Sequence, residues 1–150
     1  MFCFCLILRL GTRYVLLFTA CKSDDEDTTH DHEHETTIDF SATIMSPDAE
    51  NKKMDEEIHI HTVWESKSKQ TVHHVKVKIY NKADNTVVVY VEPKEAHVHE
   101  MKGKYELHDD VTLSTENGFS SNSDWVVEAK TWGHEKGKNE VVKTMEFHID

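Results

Sequence analysis

Short runs in which apolar and polar residues alternate occupy most of the chain after residue 37. A period of two predicts β-strands with one buried face and one solvent face, and Pro, Gly, Asn and Asp between the runs predict turns. Trp64 and Trp125 fall on the apolar phase and are expected in the core. The pattern predicts seven strands, at residues 38–45, 57–65, 72–80, 86–91, 104–113, 124–132 and 140–149.

No segment has a sustained helical period, so the predicted fold class is all-β. Seven short strands separated by turns favour an immunoglobulin-like antiparallel β-sandwich. The cysteine pair and the third-strand tryptophan of antibody domains are absent from this sequence, so the similarity concerns the general architecture. A jelly roll or an open barrel remains the alternative.

The first 20 residues have the character of an export signal. They are apolar but interrupted by Arg9 and Arg13, and the apolar run after Arg13 is far shorter than the ~20 residues that a membrane-spanning helix needs. A cleaved signal peptide at residues 1–20 explains this pattern better. Residues 18–21, Phe-Thr-Ala-Cys, resemble a bacterial lipobox, although Phe18 replaces the usual Leu, Val or Ile. The match predicts that Cys21 becomes the lipid-modified first residue, which would anchor the protein in a membrane.

Residues 21–37 form a predicted tether between the lipidated cysteine and the domain at residues 38–150. Residues 22–37 contain seven acids, three histidines and no apolar side chain, a composition that predicts disorder. The formal net charge of the chain is −11; Arg9 and Arg13 are the only charged residues before Cys21, so the remainder carries −13. So much negative charge argues against nucleic acid and anionic lipid headgroups as partners.

The sequence offers no recognisable catalytic machinery. The three cysteines, at positions 3, 5 and 21, precede the predicted domain, so the domain has neither a disulfide nor a thiol nucleophile. Phosphate-binding loops, serine nucleophile elbows and zinc-protease helices have no match. Asp109 and Asp110 are adjacent on a predicted strand and therefore point to opposite faces, which prevents them from acting as a carboxylate pair. We therefore expect a protein that is not an enzyme.

Histidine is the unusual residue, with twelve copies and none before position 30. His59 and His61 lie two apart on the second predicted strand, so they share a face at ~6–7 Å and suit Zn²⁺, Cu²⁺ or Ni²⁺. In an immunoglobulin-like sheet the second and fifth of seven strands are antiparallel neighbours, which brings Glu106, His108 and Asp110 to the same outer face. A predicted loop ahead of that fifth strand carries two further histidines. The predicted ligand set is His59, His61, His97, His99 and His108.

Other interpretations of these histidines are available. Polar residues of any kind occupy the solvent face of a half-buried strand, and histidine is acceptable there. His73 is in phase with Val75, which predicts a place at the edge of the core, and His134 is expected in a hairpin turn. A histidine cluster can also respond to pH, because the ordinary pKa of the imidazole is near 6.5.

The lipobox, the following "CKSDDED" and the strand pattern "HIHTVWES…TVHHVKVKIYNKAD…EAHVHE…YELHDD" together resemble small uncharacterised His-rich lipoproteins of the Bacteroidota. In that group a Lys-then-acidic start directs lipoproteins to the surface. The resemblance implies a β-sandwich and a lipid-anchored location at the outer membrane or cell surface, with Cys21 as the anchor. Two hypotheses follow: a metal-binding lipoprotein, or a non-catalytic interaction or adhesion module, for example an accessory to an outer-membrane receptor.

Overall fold

The computed structural model describes residues 39–133 and 139–150, and this part of the chain is built from β-strands. The predicted signal peptide, the predicted tether, Ile38 and the predicted turn residue His134 lie outside the described residues. No helix within the described ranges is long and apolar enough to cross a membrane. The strands are β1 (Phe40–Ser46), β2 (Glu57–Ser66), β3 (Val72–Asn81), β4 (Val88–Glu92), β5 (His97–Glu100), β6 (Lys104–Thr112), β7 (Ser123–Trp132) and β8 (Val141–Ile149).

The strands form two antiparallel sheets with the connectivity of an immunoglobulin-like sandwich. One sheet has the order β1-β2-β6, and the other has the order β4-β3-β7-β8, with β5 also paired to β3. Non-consecutive strands are therefore neighbours in both sheets, β2 with β6 and β3 with β7, as in immunoglobulin domains, where connections cross between the sheets. The predicted fold class is confirmed, and β4 is an edge strand beside β3.

Alternation along the strands produces the core. In β2 the side chains of Ile58, Ile60 and Trp64 are buried, whereas His59 points outward. Trp64 is 0% and Trp125 is 1% exposed, so both predicted core tryptophans are confirmed. Burying a large aromatic side chain contributes strongly to stability because the hydrophobic gain grows with the apolar area removed from water.

The described residues contain eight strands rather than seven, and the additional one is β5. Residues 97–100 were expected to belong to the loop after Pro93, but they form a strand of four residues. Val98 is the one apolar side chain of β5, and it packs against the core from a half-buried position. So short a stretch gives almost no alternation to recognise. The other predicted strand boundaries lie within one or two residues of those observed, wherever the structure describes them.

Candidate metal centre

The outer face of the three-stranded sheet carries a row of polar side chains from β2 and β6. The register places His59 opposite Asp110 and His61 opposite His108, and Glu106 lies one pair further along, opposite Val63. Side chains two residues apart on a strand share a face, so the polar members of these pairs project together to solvent. This is the juxtaposition that the sequence predicted for the two strands.

Three side chains of this row converge on one point. His61 Nε2 lies 3.8 Å and His108 Nε2 lies 3.5 Å from the same carboxylate oxygen, Glu106 Oε2. The ligand atoms that the three residues offer all lie within 4.8 Å of one another. Zn²⁺ holds nitrogen and oxygen ligands at ~2.0–2.1 Å, which separates tetrahedral ligands by ~3.3 Å. Small side-chain rotations would therefore bring the three atoms to bonding distance around one ion.

The protonation of these groups suits a cation. Burial, and next the neighbouring His108, lowers the pKa of His61 and favours its neutral imidazole. A hydrogen bond from Lys104 is the largest cause that lowers the pKa of Glu106, and it favours the carboxylate. Lys104 Nζ binds the other oxygen, Oε1, at 2.5 Å, which leaves Oε2 toward the histidines. Metal binding requires a neutral imidazole and an ionised carboxylate, and both are favoured here.

The Nε2 atom of His61 gives further support for a metal site at this position. This atom is buried and has no hydrogen-bond partner among the described residues, although the side chain as a whole is 25% exposed. A buried polar atom without a partner costs stability, and a metal ion bound to that nitrogen would remove the cost. The ring of His61 stacks on that of His108, with centroids 4.0 Å apart, so both rings present an edge to the same space.

His59 lies behind His108 rather than among the converging atoms. Its Nε2 atom is 3.2 Å from His108 Nδ1, and its Nδ1 atom is 2.7 Å from Asp110 Oδ1. With both rings neutral, the contacts are assigned so that His108 donates its Nδ1–H to His59 and His59 donates its Nδ1–H to the carboxylate of Asp110. His108 Nε2 is then an acceptor facing Glu106. Histidine ligands are commonly oriented in this way by a hydrogen bond at their second nitrogen.

The five predicted ligands fall into two groups instead of one. His59, His61 and His108 lie together on β2 and β6, whereas His97 and His99 lie on β5, which pairs with β3 in the other sheet. Their ligand atoms group with those of a different residue, His73. The predicted loop that was to close over the first strands is instead a strand of the second sheet.

Two potential ligands were missing from the sequence-based set. Glu106 was placed on the correct face but not among the ligands, although its spacing of two residues from His108 is a usable signal. His73 was expected at the core edge because it is in phase with Val75. Val72 and Val75 are both buried, which breaks the alternation between them, and the half-buried His73 lies beside His97 and His99.

No family model and no curated protein matches this chain. Among solved structures, it is similar to the CARDB domain of a Pyrococcus furiosus protein in solution, with 14% identity over 75% of this chain and 94% of that one and a TM-score of 0.49. A crystal structure of that domain in complex with di-metal ions is 13% identical over 75% of this chain and 93% of that one, with a TM-score of 0.47. Murine CRIg is 15% identical over 73% of this chain and 98% of that one, with a TM-score of 0.38.

Proposed function

We propose that the domain binds one divalent transition metal ion, Zn²⁺ in the first instance, on the outer face of its three-stranded sheet. The convergence of His61 Nε2 and His108 Nε2 on Glu106 Oε2 carries this proposal. Two imidazoles and one carboxylate are ligands that Zn²⁺ accepts, and water would complete its coordination. Cu²⁺ and Ni²⁺ also accept imidazole and compete for such a site.

The exposure of the ligands indicates what such a site is suited to do. The side chains of Glu106 and His108 are 38% and 51% exposed, so a bound ion would exchange with solvent. Structural zinc sites are closed by four protein ligands, whereas this one has an open position. Reversible binding of this kind suits metal acquisition, buffering or resistance.

We propose further that the domain works outside the cytoplasm, held at the outer membrane or cell surface by a lipid on Cys21. The lipobox-like residues that end at Cys21 and the acidic segment after it support this location. The three histidines of that segment, His30, His32 and His34, would add weak metal binding near the anchor. Any test of the folded site must therefore remove them.

Zinc titration by calorimetry tests the site directly. The full chain, solubilised in detergent with His30, His32 and His34 replaced by Asn, should bind Zn²⁺. Replacing both His61 and His108 by Ala should remove one equivalent and the rise in melting temperature that this equivalent produces. His148→Ala is the matched control, because His148 is a half-buried strand histidine paired with Asp124 at 2.8 Å. Full zinc stoichiometry and affinity in the double variant would refute the proposal.

A second candidate function is that of an interaction module, favoured by apolar side chains near the edge strand β4. Val87 and Val88 are each 42% exposed and Val91 is 36% exposed. Exposed apolar residues on an edge strand are a common feature of binding surfaces. Val88→Asp should then abolish cross-linking to an outer-membrane protein in cells while leaving zinc binding intact. Unchanged cross-linking of the variant would exclude the β4 edge as the binding surface.

A further inference from the structure

We infer a second metal site, suited to Cu²⁺ and built entirely from imidazoles, where β5 pairs with β3. Its ligands are His73, His97 and His99, whose ligand atoms all lie within 4.8 Å of one another. The site belongs to the other sheet and shares no residue with the zinc site, so it does not depend on that proposal.

Irregularities in both strands create this arrangement. Val72 and Val75 are both 0% exposed although they are three residues apart, which strict alternation in a strand does not allow. The register opposite β5 also shifts: two steps along β3, from Val72 to His74, correspond to three steps along β5, from Glu100 to His97. The extra residue of this bulge therefore lies on β5. The phase break in β3 and the bulge on β5 together place His73 beside the β5 histidines.

The three rings lie close to one another. The centroids of His97 and His99 are 4.4 Å apart, and that of His73 lies 6.1 Å from the first and 5.5 Å from the second. His97 and His99 are exposed and His73 is half-buried, so an ion could reach them from solvent. Two ligands on one strand and a third from its neighbour give a three-coordinate platform that water can complete.

An aromatic pair borders this platform. The ring of His74 lies 4.7 Å from that of His97 and stacks on Trp132, with centroids 5.2 Å apart and planes 16° from parallel. Packing of this kind restricts the rotamers of His74, and through it those of His97. The pair also places a tryptophan beside the site, where bound Cu²⁺ would quench its fluorescence.

The ligand set is well suited to Cu²⁺. All three ligands are imidazoles, whereas the other site includes the carboxylate of Glu106. Affinity of nitrogen sites for divalent first-row metals peaks at Cu²⁺, which also favours tetragonal coordination completed by water. Cu²⁺ is therefore the ion that this site is expected to bind most tightly.

Binding would also fasten β5. This strand has only four residues, and its two pairings to β3 flank the bulge. An ion held by His73 on β3 and by two histidines on β5 links the strands directly. Ligand binding to the folded state opposes local opening, so amide exchange in β5 should slow when Cu²⁺ is bound.

Cu²⁺ titration and electron paramagnetic resonance test the inference. The test protein is the full chain in which His30, His32 and His34 are replaced by Asn. His61→Ala and His108→Ala are added to remove the zinc site. This protein should bind one Cu²⁺ with hyperfine coupling to imidazole nitrogens, quench Trp132 and slow amide exchange in residues 97–100. Adding His73→Ala and His99→Ala should remove the Cu²⁺ equivalent, the quenching and the slowing together.

The controls separate this site from the zinc site. His73→Ala with His99→Ala alone should leave the zinc equivalent at His61 and His108 in place, and His148→Ala should retain both metals. His97→Asn, a change at an exposed residue, supplies an independent variant should the double substitution disturb folding. In the protein that already lacks His61 and His108, retention of the Cu²⁺ signal after adding either His73→Ala with His99→Ala or His97→Asn would overturn the inference. So would its loss when only the zinc-site histidines are changed.

Discussion

Replacing His59 by Ala distinguishes an orienting residue from a ligand. His59 accepts a hydrogen bond from His108 and donates one to Asp110, at 3.2 and 2.7 Å, and thereby fixes the ring of His108 with Nε2 toward Glu106. We therefore expect His59→Ala to weaken Zn²⁺ binding without abolishing it. His61→Ala, by contrast, removes a ligand and should eliminate the one equivalent of Zn²⁺ that binds at this site.

The magnitude follows from the exposure of the pair. Removing a group that orients a histidine ligand commonly weakens metal affinity about 10–100-fold. The side chains of His59 and Asp110 are 48% and 60% exposed, so water can take over part of the hydrogen bonding to His108 Nδ1. The lower limit therefore applies, about tenfold, or ~1.4 kcal/mol of binding free energy. Asp110→Asn should weaken binding less, because an amide oxygen still accepts from His59.

Competition titration with a zinc-binding dye measures these differences in the chain that lacks the tether histidines. His148→Ala is the control, because that residue has a similar His–Asp contact but no histidine ligand behind it. Complete loss of binding in His59→Ala would show that His59 is itself a ligand, as the sequence suggested. Unchanged affinity would show that His108 is oriented without it.

Three further outcomes are expected. Trp64→Ala should lower the free energy of unfolding by ~3–5 kcal/mol in chemical denaturation, because Trp64 is fully buried; a loss below ~1 kcal/mol would contradict this. Zinc affinity should fall as pH drops below ~6.5, because protonated imidazoles do not bind metal. Because the pKa of His61 is lowered, protonation of His61 itself should weaken binding only at more acidic pH; pH-independent titrations would contradict this. Cys21→Ala should leave an unprocessed precursor without acyl label; normal acylation would refute the lipid anchor.

The sequence predicted the sandwich because apolar and polar residues alternate regularly along most of its strands. Alternation assigned Ile58, Ile60 and Trp64 to one face of β2 and the two histidines to the other, and burial in the structure follows that assignment. A register slip by one residue would exchange the two faces, so an apolar core strongly constrains strand pairing. The same constraint explains why β2 and β6 could be expected to share an outer face.

Periodicity could not predict β5 or the bulge. A strand of four residues with one inward apolar side chain gives too little alternation to distinguish from a loop. Alternation in β3 also breaks between Val72 and Val75, so the phase of Val75 extrapolated back to His73 does not reveal the contacts of His73 with the β5 histidines. Its actual neighbours depend on how β3 and β5 pair, a long-range contact that local pattern does not contain.

These two features explain why the histidines divide into two groups. Had 97–100 been a loop, its histidines could have reached the face that bears His61 and His108. Pairing with β3 instead commits His97 and His99 to the second sheet, and the irregular pairing of the two strands supplies His73 as their third neighbour. Each group then contains three potential ligands, enough for an open site but too few for a closed structural one. Both sites are therefore suited to reversible binding, and they differ in the one carboxylate that only the first contains.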